Sequence, residues 1–315
     1  MRVCLLTDET LDTFDPSAYL KRYEWDYVSV EPPVYEFVDA LIQRNTVDVF
    51  LNLYEGDEKP NASGLDLILA LETLGVPFTG TDSTHYDPTR EEMQVTAQAN
   101  GLSFASGFHA SIIDDLTQAD KLTYPLIVKH PNSFASTGLT KESRVSTRTE
   151  LLAQFTRMKT EYGAARVEEF IEGRELSCLV VENANDASRP FAYPPAEVQF
   201  SAGETFLHEN AKWFDWDVWV VPLQDDALTT RIQDTARRFF VAMNAVGYAR
   251  VDMRVRPNGE IIILEINPNC GVLYGPEDRS HADLPIVWDT HGHDGFLERI
   301  FRAAVKRCEM RQKNI

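Results

Sequence analysis

A polar stripe runs through an otherwise apolar stretch in the last third of the chain. Residues 250–271 read RVDMRVRPNGEIIILEINPNCG, with Asp252 before the PNG turn and with Glu265 and Asn267 after it. Asn and Gly tolerate positive φ, so the stretch predicts a β-hairpin with a two-residue or a four-residue loop. Because side chains alternate along strands, either loop places Arg250 and Asp252 on the face that carries Glu265 and Asn267.

The other face of this hairpin is apolar, and it is predicted to carry Val251, Met253 and Val255 opposite Ile262, Leu264 and Ile266. On the polar face, the oxygens of Asp252, Glu265 and Asn267 repel one another unless a cation lies between them. Mg²⁺ prefers oxygen ligands and often completes its shell with substrate phosphates. The alternative is a solvated edge hairpin, but the EINPN run after four apolar residues favours a magnesium site.

Composition and charge exclude several classes of partner. The 315-residue chain has a formal net charge of −19, which repels nucleic-acid phosphates and anionic lipid headgroups. MRVCLLTDE is too short an apolar run for a signal peptide, and no membrane-spanning apolar run follows, so a cytoplasmic location is expected. The scattered cysteines predict reduced thiols rather than a disulfide framework or a zinc site; they are Cys4, Cys178, Cys270 and Cys308.

The order of elements predicts an α/β region followed by α+β regions. Strand-like RVCLLT and VDVFLNL are followed by the helical GLDLILALETLG, which Gly75 can end, and by strand-like VPFTG, so a mostly parallel sheet is expected. REEMQVTAQANG, PLIVKH, TELLAQFTRMKTEYG and RVEEFI then predict a second unit of helices and strands. Three domains are predicted, at residues 1–86, 87–170 and 171–315.

Four motifs occur in an order that resembles the ATP-grasp superfamily, and most closely its D-alanine:D-alanine ligase branch. They are PLIVKH, a small-residue loop ending at Gly138, RVEEFIEGRELS, and RVDMR with GEIIILEINPNCG, and the resemblance covers roughly residues 56–271. It implies an ATP-grasp fold, in which an N-terminal Rossmann-like domain precedes two α+β subdomains that sandwich ATP. The implied cofactors are ATP and Mg²⁺, with two ions expected and Mn²⁺ as an alternative.

The resemblance gives several residues roles in holding the phosphates of ATP. Lys129 ends an apolar strand and would contact the α- and β-phosphates as a point charge, and Arg90 stands where the family carries a second lysine. Ser136 and Gly138 lie in a loop whose backbone N–H groups would approach phosphate oxygens. The alternatives are a lysine that protects an edge strand and an ordinary surface loop.

The nucleoside half of ATP is assigned to the motif RVEEFIEGRE. By the resemblance, Glu168, Glu169 and Ile171 line the adenine, and main-chain groups of this hinge read the base edge. Glu175 takes the ribose hydroxyls. Without the neighbouring motifs, Glu168 and Glu169 would instead indicate a solvated pair of charges.

The resemblance also assigns residues to the reacting ends of the substrates. Lys212 reaches the γ-phosphate, and Trp213 lies near the substrate. Gly271, Arg279 and Ser280 belong to the substrate loop, where Arg279 is suited to a carboxylate.

The tryptophans and two of the histidines have both a functional and a structural interpretation. Trp213, Trp216 and Trp219 are left open between a substrate pocket and core packing. His291 and His293 have the spacing of metal ligands, but no third nitrogen or sulfur ligand follows, so a polar turn is predicted.

The implied reaction is formation of an amide or peptide bond through an acylphosphate. A carboxylate takes the γ-phosphoryl group of ATP, an amine then displaces phosphate, and Arg250 stabilises the developing charge. Cys270 is expected to be a small filler rather than a nucleophile. The alternatives are an ATP-grasp kinase and a catalytically silent nucleotide-binding regulator, although retention of Asp252, Glu265 and Asn267 argues against silence.

The substrates are expected to differ from two D-alanines. Ligases of that branch open with a Gly-rich turn and a glutamate that fixes the first amino group, whereas this chain opens TDETLDTFDP. Ala135 and Trp213 stand where the branch carries a serine and a tyrosine linked to that glutamate. Amino acids or a small peptide are expected as the carboxylate and amine substrates, and a homodimer is left open.

Overall fold

The computed structural model describes residues 1–44, 46–56, 61–132, 136–200, 203–209, 219–277 and 279–313. Within these ranges the strands form three sheets, and helices pack against each of them. The mixed α/β architecture predicted from the sequence is confirmed.

The first sheet is parallel and has the strand order β2–β1–β3. Its elements are β1 (Arg2–Thr7), β2 (Glu24–Ser29), α1 (Val34–Arg44), β3 (Val49–Asn52) and α2 (Gly64–Thr73). Strand β2 and helix α1 were not predicted from the sequence. The strand predicted at VPFTG is wrong, since a single bridge joins Phe50 to Phe78 and the adjacent Pro77 has no N–H to extend the ladder.

Local signals set the helix boundaries near the site. Gly75, at φ +66°, follows α2 and ends it as predicted. The next helix, α3 (Arg90–Ala99), begins at a capping box in which Thr89 and Glu92 exchange hydrogen bonds. Arg90 is therefore fixed as the first residue of a well-capped helix.

The second sheet is antiparallel and has the order β4–β7–β5–β6. Its elements are β4 (Gly107–Ala110), β5 (Leu126–Lys129), β6 (Arg144–Val145), α4 (Arg148–Tyr162) and β7 (Ala165–Glu169), with 3-10 helices at Ile113–Lys121 and Lys141–Ser143. The β5–β7 ladder pairs Lys129 with Arg166 and Ile127 with Glu168. It thereby brings the predicted phosphate lysine beside the predicted adenine hinge.

The third sheet is antiparallel and has the order β11–β10–β8–β12–β13, with β9 paired to β8. Its strands are β8 (Arg174–Val181), β9 (Phe191–Ala192), β10 (Ala196–Gln199), β11 (Trp219–Pro222), β12 (Tyr248–Val255) and β13 (Ile261–Pro268). Helix α5 (Asp226–Ala242) covers one face, and α3 packs into the same core. Arg90 therefore approaches the hairpin from a helix seated on the hairpin's own sheet.

The C-terminal helices return to the first sheet. Helices α6 (Asp283–Trp288) and α7 (Gly292–Lys313) pack with Val3, Leu5 and the segment 270–273 in one buried core. The domain boundaries at 86/87 and 170/171 stay a prediction. The cores group α3 with the third sheet and group α7 with the first.

The hairpin tip differs from the prediction although the polar face agrees with it. Arg256 N donates to Glu260 O, which closes a three-residue loop whose Gly259 has φ +84°. A β-bulge at Leu264 then shifts the register between Asp252 and Met253, so Met253 pairs with Ile263. The predicted loop lengths and the predicted Met253–Leu264 pairing are wrong, and the bulge restores the pairing of Asp252 with Glu265.

Candidate active site

The polar face of the β12–β13 hairpin forms the floor of a pocket. The ladder pairs Arg250 with Asn267 and Asp252 with Glu265, so these residues share one face, as the sequence predicts. Arg250 holds Asp252 through two bonds, Nε to Oδ1 at 2.7 Å and Nη2 to Oδ2 at 2.8 Å. Asn267 Nδ2 also donates to Asp252 Oδ2 at 2.9 Å. One guanidinium thus offsets the charge of the floor's central carboxylate.

Helix α3 closes one side of this floor through Arg90. The guanidinium pairs with the carboxylate of Glu265, and its Nη1 donates to the carbonyl oxygen of Leu264 at 3.1 Å. Leu264 is the bulged residue, so its carbonyl is released from the regular ladder to accept this bond. Arg90 is only 8% exposed. It therefore contacts a predicted metal ligand directly, in addition to facing the pocket.

The two carboxylates of the floor differ in their electrostatic surroundings. Burial raises the pKa of Asp252, and the Arg250 charge only partly opposes that effect. Burial acts on Glu265 in the same direction, but the charges of Arg90, Lys129 and Arg250 outweigh it and lower the pKa of Glu265. The positive charges of these three residues therefore keep Glu265 ionised.

A second group of buried charges lies at the ends of β5 and β7. Lys129 Nζ is 2.6 Å from Glu168 Oε2, and Arg166 Nε donates to Glu168 Oε1 at 3.0 Å. Burial alone would raise the pKa of Glu168, but Lys129, Arg90 and Arg166 outweigh it and hold the pKa at about 2. The side chain of Glu168 is thus paired with cations, so the predicted adenine contacts would have to come from neighbouring main-chain groups.

The hinge after β7 presents those main-chain groups. Glu169 N donates to Ser106 O at 2.8 Å, whereas Ile171 N–H donates to no group in the described part of the chain. The carbonyl oxygen of Ile171 accepts from Arg254 Nη1 at 2.8 Å. Glu175 Oε2 accepts from the same guanidinium. The hinge therefore offers one unused N–H donor, as a base-reading segment requires.

The predicted phosphate loop contacts the segment 203–209. Ser136 Oγ donates to Leu207 O at 2.9 Å, and Gly138 N donates to the Glu209 carboxylate at 3.2 Å. Gly138 has φ +67°, and a Cβ there would lie 2.9 Å from the Tyr162 ring. The loop thus needs glycine at this position, and its amide already binds an anionic group.

Most of the predicted cofactor residues line one cavity. They are Arg90, Lys129, Ser136, Glu168, Glu169, Ile171 and Glu175, joined by Arg250, Asp252 and Glu265 from the floor. Gly138 lies between the lining residues Thr137 and Leu139, and Asn267 donates to Asp252, but neither residue lines the cavity itself. Residues from all four motifs are thereby brought to one place.

The predicted substrate loop folds beside the cavity. Ser280 Oγ donates to Gly271 O at 2.6 Å, and a Cβ on Gly271 would lie 2.9 Å from the ring of Tyr274. The buried Asp283 accepts backbone N–H bonds from Leu273 at 2.6 Å and from Ser280 at 3.1 Å. Ser280 therefore shapes the loop, whereas the side chain of Arg279 is exposed.

Acidic side chains gather where the first sheet approaches this loop. Gly56 N donates to Asp8 Oδ2 at 3.0 Å, which joins the end of β3 to the end of β1. Partial burial raises the pKa of Glu55, and the negative charges of Asp8 and Glu9 raise it further. These three acids and Asp283 also help to raise the pKa of Tyr274 to about 12, after burial as the main cause. An acid-rich end therefore faces the substrate loop.

Several predicted residues lie elsewhere. Lys212, Trp213 and Trp216 fall outside the described residues, as does Ala135. Trp219, on β11, is 56% exposed, so this tryptophan is not part of the core. His293 stacks on Tyr19 with ring centroids 4.0 Å apart. The four cysteines are buried and unpaired, as expected, and none of the described helices is long and apolar enough to span a membrane.

The donor set fits Mg²⁺ with ATP. No three His, Cys, Asp or Glu side chains within the described ranges form a metal cluster. The floor instead supplies the carboxylates of Asp252 and Glu265 and the amide of Asn267, and phosphate oxygens would complete an octahedral shell. Lys129 and Arg90 line the same cavity and are suited to phosphate charge.

Two buried arginines of this site were missed by the sequence reading. Arg166 is 1% exposed and Arg254 is 3% exposed, and each pairs with an acid that lines the cavity. Arg254 could have been found, because it continues the period-two face of Arg250 and Asp252. No sequence pattern singles out Arg166, because its partner Glu168 and the adjacent Glu169 resemble a solvated pair of charges.

Comparisons with known proteins agree with this geometry. A family model described as D-ala D-ala ligase C-terminus matches residues 109–292. The D-alanine–D-alanine ligase of Kineococcus radiotolerans is 28% identical over 284 residues, which cover 85% of this chain and 72% of that protein. The corresponding ligase of Bifidobacterium longum strain DJO10A is 28% identical over 288 residues, covering 84% and 69%.

Solved structures show the same fold. The D-alanine–D-alanine ligase of Bacillus anthracis, complexed with ATP, superposes with a TM-score of 0.74 at 18% identity over 99% of both chains. The VanG D-Ala:D-Ser ligase of Enterococcus faecalis gives 0.67 at 17% identity over 98% of both. The fold is thus the ATP-grasp fold predicted from the motifs. The chain belongs to the D-alanine–D-alanine ligase family and is an ATP-dependent ligase that forms carbon–nitrogen bonds.

Proposed function

We propose that this ligase joins a carboxylate to an amine through an acylphosphate, and that its substrates are amino acids or a small peptide other than two D-alanines. The observation that carries the reaction type is one cavity in which Arg250–Asp252 and Arg90–Glu265 meet Lys129. Acyl phosphorylation places negative charge on transferring oxygens, and preorganised cations stabilise that charge without reorganising at the moment of reaction.

Each residue of the site has a role in this reaction. Lys129 and Arg90 hold the phosphates, and the hinge at Ile171 reads adenine. Asp252, Glu265 and Asn267 would hold Mg²⁺, which would supply positive charge to offset that of the phosphate oxygens. Arg250 stabilises the phosphoryl group and then the tetrahedral oxyanion formed when the amine attacks. We propose two metal ions, with Mn²⁺ as a substitute, and Lys212 as the γ-phosphate contact.

The first sheet supports a substrate that carries a positive amino group. In open α/β sheets, ligands bind outside the carboxyl ends of the strands. Asp8, Glu9 and Glu55 follow β1 and β3 at that position, and Tyr274 of the substrate loop lies beside them. We propose that an ammonium group binds there, and that Trp213 and Arg279 contact the rest of the substrates.

The substrate prediction rests on missing anchors. No Gly-rich turn follows β1, and Ala135 and Trp213 cannot accept and pass on the hydrogen bonds of a serine and a tyrosine. A site that loses the partners of a charged substrate group loses strongly in selectivity for that substrate. The structural neighbour named a D-Ala:D-Ser ligase indicates that this fold also serves a different second substrate in that protein.

The test is phosphate release over a panel of amino-acid and dipeptide pairs with Mg-ATP, with product masses determined. We expect amide formation to be most efficient with a pair other than two D-alanines. Preferred formation of D-alanyl-D-alanine would overturn the substrate proposal. ADP release that yields a stable phosphorylated product, without any dependence on an amine, would instead indicate a kinase. A homodimer and a cytoplasmic location stay predictions.

A further inference from the structure

Arg254 joins three separate segments around the nucleotide cavity. It lies on β12, two residues beyond Asp252 on the same face, and is 3% exposed. Its Nη1 donates to Ile171 O at 2.8 Å, and its Nη2 donates to Thr205 O at 2.5 Å. Its Nε and Nη2 donate to Glu175 at 3.1 and 2.6 Å. One planar guanidinium thus fixes the hinge, the acid after it and the segment 203–209.

The contact with Glu175 is asymmetric. Both donors of Arg254 reach the same oxygen, Oε2. The other oxygen, Oε1, accepts no hydrogen bond from any described residue, and Glu175 lines the cavity. A carboxylate held by one oxygen keeps the lone pairs of the other available for a ligand that donates two adjacent hydroxyl groups.

The surroundings of Arg254 make its position rigid. Its guanidinium lies 5.0 Å from the centroid of the Phe170 ring and 5.9 Å from that of Phe200. The negative charge of Glu175 acts on Asp252 and contributes to its raised pKa, after burial as the main cause. Arg254 forms the ion pair with Glu175 and is its direct counter-charge. A lysine could supply that charge but could not keep the planar set of donors.

We propose that Arg254 is a positioning residue for recognition of the ribose of ATP. It holds Oε2 of Glu175 and the carbonyl of Ile171, so that Glu175 Oε1 and the Ile171 N–H are both aimed at the nucleoside. Arg254 also lines the cavity, and the role proposed for it is exerted through Glu175 and Ile171. The inference rests on the proposed nucleotide site. It predicts that selectivity for the ribose hydroxyls depends on Arg254, because Arg254 positions Glu175.

The experiment compares ATP with 2′-deoxy-ATP and 3′-deoxy-ATP in wild type, Arg254→Met, Arg254→Lys and Glu175→Gln. Hydrogen bonds to charged groups are worth enough for about a tenfold preference for ATP in wild type. We expect Arg254→Met to lose most of that preference, with kcat at saturating ATP changed less than the ratio of KM values. Arg254→Lys should recover part of the preference, and Glu175→Gln should lose it.

Arg174→Met is the matched control, because Arg174 also holds a glutamate, Glu197, through two bonds of 2.6 and 2.7 Å, but does not line the cavity. It should keep the ribose preference. The same nucleotides are also compared by the thermal shift they give, which measures binding without turnover.

The result that overturns the inference is an equal weakening of all three nucleotides in Arg254→Met, with the preference ratio of wild type intact in both assays. If Arg254→Met does not fold, the preference for ATP over the deoxynucleotides is measured in Arg254→Lys and Glu175→Gln instead. Preferences equal to that of wild type would overturn the inference. Failure of the proposed function has a different signature, since it removes ligase turnover in wild type while leaving the binding ratios measurable.

Discussion

Carboxylates are concentrated both in the nucleotide cavity and at the end of the first sheet, but the two regions differ in whether the protein pairs those carboxylates with cations. In the cavity, Asp252, Glu265 and Glu168 each contact a cation, and the pKa of Glu168 falls to about 2. At the end of β1 and β3, no ion pair with a cation joins Asp8, Glu9 or Glu55 among the described residues, and the pKa of Glu55 rises. The cavity is compensated within the protein, whereas the acid-rich end is suited to a cation brought by a ligand.

This difference predicts opposite responses to removing a charge. Neutralising one member of a buried ion pair leaves its partner uncompensated and destabilises the fold. Neutralising one acid among repelling acids relieves repulsion. Variants in the two regions therefore test the comparison directly.

The largest effect is expected for Glu265→Gln. The change weakens a metal ligand and leaves the buried guanidinium of Arg90 without its carboxylate. Loss of several kcal/mol of charge stabilisation corresponds to roughly a hundredfold to a thousandfold lower ADP formation. The measurement is coupled ADP release, with the exposed Glu298→Gln as control. ADP formation by Glu265→Gln within threefold of wild type would contradict the metal assignment.

The next effect concerns nucleotide binding by Lys129→Ala. Mg-ATP should raise the melting temperature of wild type, because a ligand bound only to the folded state stabilises it. The shift should shrink sharply in Lys129→Ala, which lacks the cation at the end of β5. Lys306→Ala, on the exposed face of α7, is the control. Equal shifts in all three proteins would remove Lys129 from the nucleotide site.

Glu168→Gln should destabilise the fold in a pH-dependent way. The pKa of Glu168 is about 2 in the folded protein, against an ordinary value of 4.5. A carboxyl with a lowered pKa stabilises the fold above its unfolded pKa and loses that contribution as pH falls toward the folded value. Removing one partner of a buried pair costs about 3–5 kcal/mol.

The deficit in melting temperature of Glu168→Gln should thus be full at pH 7 and should narrow between about pH 4.5 and pH 2. Thermal unfolding of both proteins at a series of pH values measures it. A deficit that stays constant down to pH 3 would show that packing, and not the charge, is responsible.

The smallest effect on stability is expected for Glu55→Gln, and its sign is reversed. Because the folded protein raises the pKa of Glu55, ionisation opposes folding at neutral pH and the variant should be more stable than wild type. The gain should be small, because Glu55 is exposed and solvent screens its charge. That gain should vanish as pH falls and Glu55 protonates. In steady-state kinetics, the KM for the amino substrate should rise several-fold with the KM for ATP unchanged. Destabilisation comparable to Glu168→Gln would break the comparison between the two regions.

The sequence predicted the elements of the site better than the interactions within it. Strand and helix patterns placed Lys129 at a strand end and placed Asp252 on the same face as Glu265, because both follow from local alternation. The sequence did not reveal that Glu168 is the counter-ion of Lys129, because that contact joins neighbouring strands through side-chain geometry. Arg90 was likewise assigned to phosphate alone, since its pairing with Glu265 spans 175 positions.

Two of the elements that were missed, β2 and α7, have weak or ambiguous patterns. β2 is partly exposed along most of its length, and α7 repeats its apolar residues among many charges. The packing of α3 on the third sheet depends on contacts far apart in sequence, such as Met93 with the core of β12 and β13. Such long-range packing is not encoded in any short window.

The bulge at Leu264 has a consequence for how this hairpin can change over evolution. The same Asp252–Glu265 pairing is reached by a four-residue loop with a regular ladder or by the observed three-residue loop with a bulge. The tip can therefore gain or lose a residue while Asp252 and Glu265 stay paired. The bulge thus separates the proposed metal-binding floor from the turn, and insertions or deletions at residues 257–259 are the changes that we expect this hairpin to tolerate best.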